Sequence, residues 1–589
     1  MDSAANLRPC FVVPAIGAFQ AAGRMLLLTC WISASLGAQT SEPGALGTSV
    51  FGERIDIQVI NVDVLVTDRD GRPVPGLTRD DFEIFDDGQP VEITNFYADA
   101  ALVSASGPAA PDLSGPTAVP ADRPNTLAFF FDNLHLRPAS RKRVLQGLSG
   151  FLKENPERAP GMAIAVPDGA GFQILHPFGG SLKTARTALK TLASMPARGI
   201  HADNDHRTTL AYMRDIWETL DEVDAGRVEP CGWGLDQQEA AIRNYSQAVA
   251  ARVERTLSSL GKLIDSLAPL AGQKTLVYIS DGLEFTPGSD LLHYLNELCP
   301  QQSSRLLRVA EQRDLRRRFE TLTRNANGDQ VTLYTLDAPG LRSSTSMLIG
   351  DIDNPRFLPS ATFDTVRRAN LQNSLTFVAE ETGGRALLGL NRFAEALGAI
   401  AQESGSLYSL GFQAAPGEDG EDGVRPLKVR VKDRPGLKLH YRRTYRAKSP
   451  EERLADRALG ALFHGLHGNP LGLEVRRGAA RRNKGNRFLV PIQLSVPLDR
   501  LTLLEDAGLH LGRLRLVLIS RDREQTVSPV RQNVLDLRLT PKQLALGSYS
   551  FGFDLEMREG QHAVAFALQD EVSRETSYLL TRLTVGGAS

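Results

Sequence analysis

The chain carries almost no excess charge. Lys and Arg number 67 against 69 Asp and Glu, a formal net charge of −2. That balance removes the electrostatic argument for nucleic acid or an anionic membrane as a partner. Beyond residue 38 no apolar run is long enough to span a bilayer, so no transmembrane segment is expected after that point. Catalytic signatures are missing too. There is no Gly-x-Ser-x-Gly elbow, no His-Glu-x-x-His and no phosphate-cradling glycine loop. Gly169-Ala-Gly171 is only a hairpin turn, and no pattern places a nucleophile beside a base. The chain therefore reads as a non-enzyme. Cysteine is scarce, with four in 589 residues.

The N-terminus has the order of an export signal. Arg8 and Arg24 precede the apolar core Met25-Leu-Leu-Leu-Thr-Cys-Trp-Ile, and small residues follow up to Gly37-Ala38. Residues 1–38 are read as a signal peptide cleaved after Ala38, which makes the mature protein periplasmic or secreted. Cys10 and Cys30 leave with the signal. Cys231 and Cys299 remain, and an oxidising compartment favours a disulfide between them. The alternative is two buried thiols.

The most informative stretch is Lys274–Gly282, KTLVYISDG. Its five apolar-rich residues from Thr275 to Ile279 have the character of a strand buried on both faces, and Asp281 sits where such a strand leaves the sheet. Thr126–Asp132, TLAFFFD, has the same form. Ligands of open α/β sheets gather at the carboxyl ends of the strands. Two buried strands that each end in an aspartate therefore suggest one shared site.

Around these strands the chain divides by periodicity. Residues 52–98 hold strands with period-two alternation, broken by turns at Asp68–Gly71 and Asp86–Gly88. Residues 99–123, rich in Ala, Pro, Ser and Gly, form a linker. Residues 124–405 alternate strands and helices, the pattern of a doubly wound, mostly parallel α/β sheet. Within them 197–235, 283–302 and 338–362 read as insertions, with 197–235 polar, irregular and only partly helical. Residues 406–446 return to strands and are expected to complete the β-sandwich begun before the α/β segment. Residues 450–486 are a helix and linker. Residues 487–589 have strands at the regular spacing of a second, Ig-like sandwich.

Several phrases resemble exported bacterial proteins with von Willebrand factor type A domains. Phe129-Phe-Phe-Asp132 is similar to the family's first strand and Leu276-Val-Tyr-Ile-Ser-Asp-Gly282 to its fourth. Val378-Ala-Glu-Glu-Thr-Gly-Gly-Arg385 is similar to a late helix and turn. Val66–Gly88 and Tyr408-Ser-Leu-Gly-Phe412 are similar to the lead-in and exit segments of such proteins. The likeness covers about residues 50–446. It implies a metal-ion-dependent adhesion site built from Asp-x-Ser-x-Ser, a threonine and a final aspartate, holding Mg²⁺ through oxygen ligands. Asp132 and Asp281 match the two aspartates, and Thr208 or Thr209 is expected to supply the hydroxyl. Leu134 and Leu136 occupy the serine positions, so the site is degenerate. Asn133, His135 or a backbone carbonyl would have to compensate. The bland reading is a remnant in which both aspartates accept loop N–H bonds.

Other features are weaker. His201-Ala-Asp-Asn-Asp-His206 and Asp351-Ile-Asp-Asn354 gather metal-ligand residue types without ligand spacing. Arg305–Arg324 is a basic stretch interleaved with acids, which suits a solvated helix face. The reading overall is an exported, non-catalytic A-domain protein that binds a protein, matrix or envelope ligand through its top face. An inert structural component of the envelope is the alternative. A hydrolase using Asp132, His135 and Asp281 is the remaining option.

Overall fold

The computed structural model describes residues 59–99, 125–414 and 423–586, apart from 170, 225–230, 232, 313, 341–358, 447 and 524–525, together with 11–12 and 102. The signal segment, apart from 11–12, most of the 99–123 linker and Asp351–Asn354 lie outside the described residues. The protein is a mixed α/β structure with several sheets.

The first strands are β1 (Val59–Thr67), β2 (Phe82–Asp86), β3 (Gln89–Val91) and β4 (Ile93–Ala98). Alternate residues Ile60, Val62 and Val64 of β1 are buried, as the period-two pattern requires. The turn after β1 is closed by Asp68, whose Oδ1 accepts the N–H groups of Asp70 and Arg72 at 2.9 Å each.

The central part contains β5 (Asn125–Phe131), α1 (Pro138–Glu154), β6 (Met162–Asp168), β7 (Gly171–His176), α2 (Leu182–Ser194), α3 (Gly199–Asp224), α4 (Trp233–Leu267) and β8 (Gln273–Ser280). It continues with α5 (Ser289–Leu298), α6 (Ser303–Glu311), α7 (Arg316–Gly328), β9 (Val331–Asp337), α8 (Ala361–Glu381), β10 (Ala386–Leu387) and α9 (Phe393–Glu403). One six-stranded sheet has the order β10-β9-β8-β5-β6-β7. Every pairing in it is parallel except that of β7, which runs antiparallel at one edge. In β8, Leu276 and Tyr278 join the apolar cluster on one face, with α4, α7 and α8. Val277 and Ile279 join the cluster on the other, with α1, α2 and α9. Both faces of the strand are therefore dry, which is why its sequence is a continuous apolar run.

One expectation needs correction here. Residues 199–224, expected to be irregular and helical only near Leu210–Leu220, form one helix throughout. His206, Leu210 and Met213 fall at i, i+4 and i+7 and are all buried, so the segment has an inner stripe that its polar composition hides. The disulfide links Cys231, just before α4, to Cys299, just after α5.

The chain then returns to the first strands. β11 (Tyr408–Gln413) lies antiparallel between β1 and β4, and β12 (Val424–Val431) lies antiparallel to β2. With β13 (Lys438–His440) and β14 (Thr444–Arg446) they make two four-stranded sheets, β13-β1-β11-β4 and β14-β12-β2-β3. Ile60, Val62, Ile84, Leu410, Phe412 and Val429 share one core. A helix, α10 (Pro450–His464), follows and opens on a capping box of Ser449 and Glu452. Its Phe463 stacks on Phe172 with ring centroids 4.6 Å apart. Leu454, Ala458 and Leu462 share a core with Val517, Ile519, Ala565 and Ala567 of the last sheets. Those sheets comprise β15 (Glu474–Arg477), β16 (Arg481–Arg482), β17 (Arg487–Pro497), β18 (Leu504–Asp506) and β19 (Leu509–Asp522). They end with β20 (Arg531–Leu539), β21 (Ser548–Arg558), β22 (Gly560–Asp570) and β23 (Thr576–Val585). One sheet holds β15, β16, β17 and β21 with the short strand Phe11–Val12 paired parallel to β21, the other holds β18, β19, β20, β22 and β23, and their inner residues form a separate core.

Candidate functional site

β5 and β8 are neighbours in register, with Phe131 opposite Ile279. Asp132 and Asp281 therefore leave the sheet side by side, and the structure brings both to one place. The loop after Asp132 is pinned by backbone bonds. His135 and Leu136 N–H donate to the Asp132 carbonyl at 3.0 and 2.8 Å, and Arg198 N–H donates to the Asn133 carbonyl at 2.8 Å. Arg141 holds the same loop from α1, donating to Asn133 Oδ1 and to the Met195 carbonyl. Gly199 passes so close that an added Cβ would sit 2.2 Å from the His135 carbonyl.

Asp132 is fully buried and accepts from five donors. Oδ1 takes Leu134 N–H at 3.2 Å and the Thr256 hydroxyl at 3.3 Å. Oδ2 takes His135 Nδ1 at 2.8 Å, the Tyr278 hydroxyl at 2.6 Å and the Ser280 hydroxyl at 3.2 Å. Burial alone pushes this carboxyl up; His135, Tyr278 and Ser280 outweigh it and hold it below the ordinary aspartate value. With Nδ1 committed to Asp132, His135 keeps Nε2 buried and without a hydrogen-bond partner.

Asp281 has a different environment. Its Oδ2 accepts Arg137 Nε at 2.5 Å, Arg137 N–H at 3.3 Å and the Ser140 hydroxyl at 3.0 Å. Arg137 also reaches Asp203 on α3 at 3.2 Å. Arg367 on α8 bonds the other oxygen of Asp203 at 3.1 Å and His206 Nδ1 at 2.9 Å. Because that nitrogen accepts from a guanidinium, Nε2 carries the proton donated to Asp290 at 2.6 Å. The chain of alternating charges thus runs from the sheet across α3 to α5. Beside it, Glu284 accepts from the Tyr245 hydroxyl at 2.5 Å and from Gly288 N–H at 2.8 Å. Burial and the nearby Asp290 push Glu284 above the ordinary glutamate value.

The residues do not fit the expected Mg²⁺ site. A divalent ion of this kind needs several oxygen ligands with free lone pairs in near-octahedral array. Both oxygens of Asp132 are occupied by donors, and a guanidinium sits on Asp281 where the cation would act. Among the described residues no group of three or more His, Cys, Asp or Glu is placed to hold a metal ion. Thr208 is not at the site: it is exposed on the outer side of α3, and Thr209 bonds its own helix at the Asp205 carbonyl. The hydroxyl that meets Asp132 is Thr256 of α4. Leu136 is fully buried in the apolar core and Leu134 partly so, which leaves no hydroxyl at the two serine positions.

The His201–His206 cluster is dispersed by its helix. His206 turns inward to Asp290, Asp203 to the arginines and Asp205 to Arg252, and His201 is exposed. Arg137, Thr256, Tyr278 and Arg367 were not marked as site residues by the sequence, and Asp203 was noted only within the His201–His206 run. Only Arg137 carried a local signal, since it ends the loop that begins at Asp132. Above these groups lies a pocket of about 370 Å³. Its walls include Gly199, Ala202 and Asp203 from the first expected insertion, Glu284 from the second and Pro339 from the third.

No family model matches the chain, and no curated protein does. Solved structures that align with it include a structural-genomics target, 12% identical over 20% of this chain and 88% of its own, with a TM-score of 0.15. A putative ApaA protein from Bordetella pertussis is 10% identical over 20% of this chain and 95% of its own, TM-score 0.14. The beta-glucuronidase of Bacteroides uniformis is 9% identical over 31% of this chain and 19% of its own, TM-score 0.14. These likenesses carry no argument about fold or function. Among the described residues no helix is long and apolar enough to cross a membrane.

Proposed function

We propose that this is an exported, non-catalytic binding protein built on a von Willebrand A-type α/β domain inserted into a β-sandwich. Its ligand is a protein, matrix or envelope component. The ligand meets the face at the carboxyl ends of β5 and β8, without a resident metal. One observation carries this reading: the pocket over Asp132 and Asp281 is walled by residues from all three insertions. Loops and insertions on a rigid sheet are where binding specificity is usually placed. The sheet order, the antiparallel edge strand and the pairing of β1 with β11 and β2 with β12 support the domain assignment. Catalysis is disfavoured by the local chemistry. The Thr256 hydroxyl meets the His135 ring at 3.3 Å from Nδ1, the nitrogen already bonded to Asp132.

The test is retention of the full chain on envelope and matrix fractions of the producing cell. Arg143→Glu with Arg368→Glu reverses charge at the pocket. Arg476→Glu with Arg477→Glu does the same in the exposed β15. Loss of retention in the first pair alone is expected. Equal retention in both, or loss only in the second, would refute the reading. A thermal scan completes it: Mg²⁺, Mn²⁺ and EDTA are expected to leave the melting temperature unchanged, because only a bound ligand stabilises.

A further inference from the structure

The pocket has a polarity of its own. Arg137 and Arg367 are spent on Asp203, Asp281 and His206. Arg143 and Arg368 are not spent in this way. Arg143 donates to the carbonyls of Ala338 and Pro339 at 3.4 and 2.6 Å, which are neutral partners. Arg368 has no hydrogen-bond or ion-pair partner among the described residues. Two guanidinium charges therefore face one cavity with a single uncommitted carboxylate, Asp364, on its wall. Guanidinium groups suit planar or tetrahedral oxyanions because their N–H groups fork.

The second observation is His135. Its side chain is 8% exposed and lines the same pocket, and Nε2 has no partner. In the tautomer that donates Nδ1–H to Asp132 and carries no second proton, the ring presents a lone pair at Nε2. A buried acceptor without a donor is costly, and a ligand that brings a donor recovers that cost.

We propose that this pocket binds a small oxyanion that carries its own hydroxyl: a hydrogen phosphate group or a hydroxycarboxylate. Arg143 and Arg368 take the charge, and His135 Nε2 accepts the hydroxyl proton as a hydrogen bond. The proposal rests on the reading of this face as the binding face. Its failure remains distinct: envelope retention with no oxyanion binding would leave that reading standing and remove this one.

The experiment is calorimetric titration of the full chain at pH 7 with inorganic phosphate, sulfate, glycolate and acetate. Sulfate and acetate are oxyanions of the same geometry as their counterparts but bring no hydroxyl donor; acetate matches glycolate in charge, and sulfate is a dianion where phosphate at pH 7 is a mixture of mono- and dianion. Phosphate or glycolate is expected to bind at least about tenfold more tightly than its donor-free counterpart, the size of one good hydrogen bond. Whichever of the two binds tighter names the source of the oxyanion. Arg368→Gln is expected to weaken binding about tenfold, as loss of one charged hydrogen bond does. Asp364→Asn should tighten it. His135→Phe, which leaves no acceptor at the Nε2 position, should erase the difference between phosphate and sulfate while Arg368→Gln preserves it, and circular dichroism would confirm that each variant is folded. Equal binding of all four anions would overturn the proposal. So would no saturable binding, or binding unchanged by Arg368→Gln.

Discussion

Strand β8 connects two clusters of buried charge that differ in kind. At its carboxyl end Asp132 and Asp281 lie among hydroxyls, backbone N–H groups and Arg137. At its amino end the buried Lys274 donates to the Ala268 carbonyl at 2.9 Å, beside Asp329, Asp265, Lys448 and Asp456. Lys448 bridges the buried Asp329 and the half-buried Asp456, the latter at 2.7 Å. At the first end Asp132 is held below its ordinary value. At the second, burial pushes Asp329 up to about 7 and Asp265 up to about 6, with Lys448 opposing only in part. Burial likewise pulls Lys274 down to about 8. Donor supply decides the outcome. Asp132 has five donors to itself, whereas Asp329 shares one ammonium with Asp456. The same residue type at similar depth holds its proton weakly in one place and far more tightly in the other.

The most damaging way to break this comparison is to remove the shared ammonium. Lys448→Met removes the ion-pair partner that two carboxyls share, with only the more weakly placed Lys274 nearby, and is expected to cost about 3–5 kcal/mol at pH 8. The cost should shrink at pH 5, where Asp329 takes up a proton. Chemical denaturation at both pH values measures it, and an equal loss at both would show that Asp329 is not the group involved.

At the other end, Asp132→Asn is expected to cost about 3 kcal/mol at pH 7, since an amide puts a donor among donors. Asp132 is depressed when folded, so its contribution is present above the ordinary aspartate value and is lost as pH falls below it. The wild type should therefore approach the mutant in strong acid.

The third effect is a slope. Carboxyls raised by folding bind protons more tightly in the native state, so stability should fall as pH rises from about 4 to about 7, at up to ~1.4 kcal/mol per unit for each fully titrating group. Asp329→Asn should flatten that slope, and a slope unchanged in this variant would contradict the assignment of its carboxyl. The smallest effect sharpens the choice of threonine. Thr256→Val should cost about 1 kcal/mol for one buried hydroxyl bond, while Thr208→Val, on the exposed side of α3, should stay within about 0.5 kcal/mol. The reverse order in thermal melts would restore Thr208 to the site.

Much of this architecture was legible because the chain alternates its periods. The apolar runs at 126–131 and 275–279 could only be strands buried on both faces, and each ended in the aspartate now found at the sheet's edge. The strands of the last sheets were readable from their regular spacing. The full length of the helix at 199–224 was not, and only its part near Leu210–Leu220 was expected, because the inner stripe of His206, Leu210 and Met213 is thin and its first member is polar. Arg137 was missed for another reason. The expected motif named oxygen ligands for a cation and said nothing of a guanidinium bonded to one of them.

The sequence by itself determined where the strands run, which two aspartates end them, and that hydroxyls are missing at Leu134 and Leu136. Those are local properties of pattern and residue type. Only the tertiary structure decided what the aspartates do. Thr256 is 124 residues from Asp132 and Tyr278 is 146, and Asp281 meets Arg137 across 144. Protonation and ligand capacity depend on such distant donors, because a buried carboxylate is governed by whatever the fold places within hydrogen-bond reach.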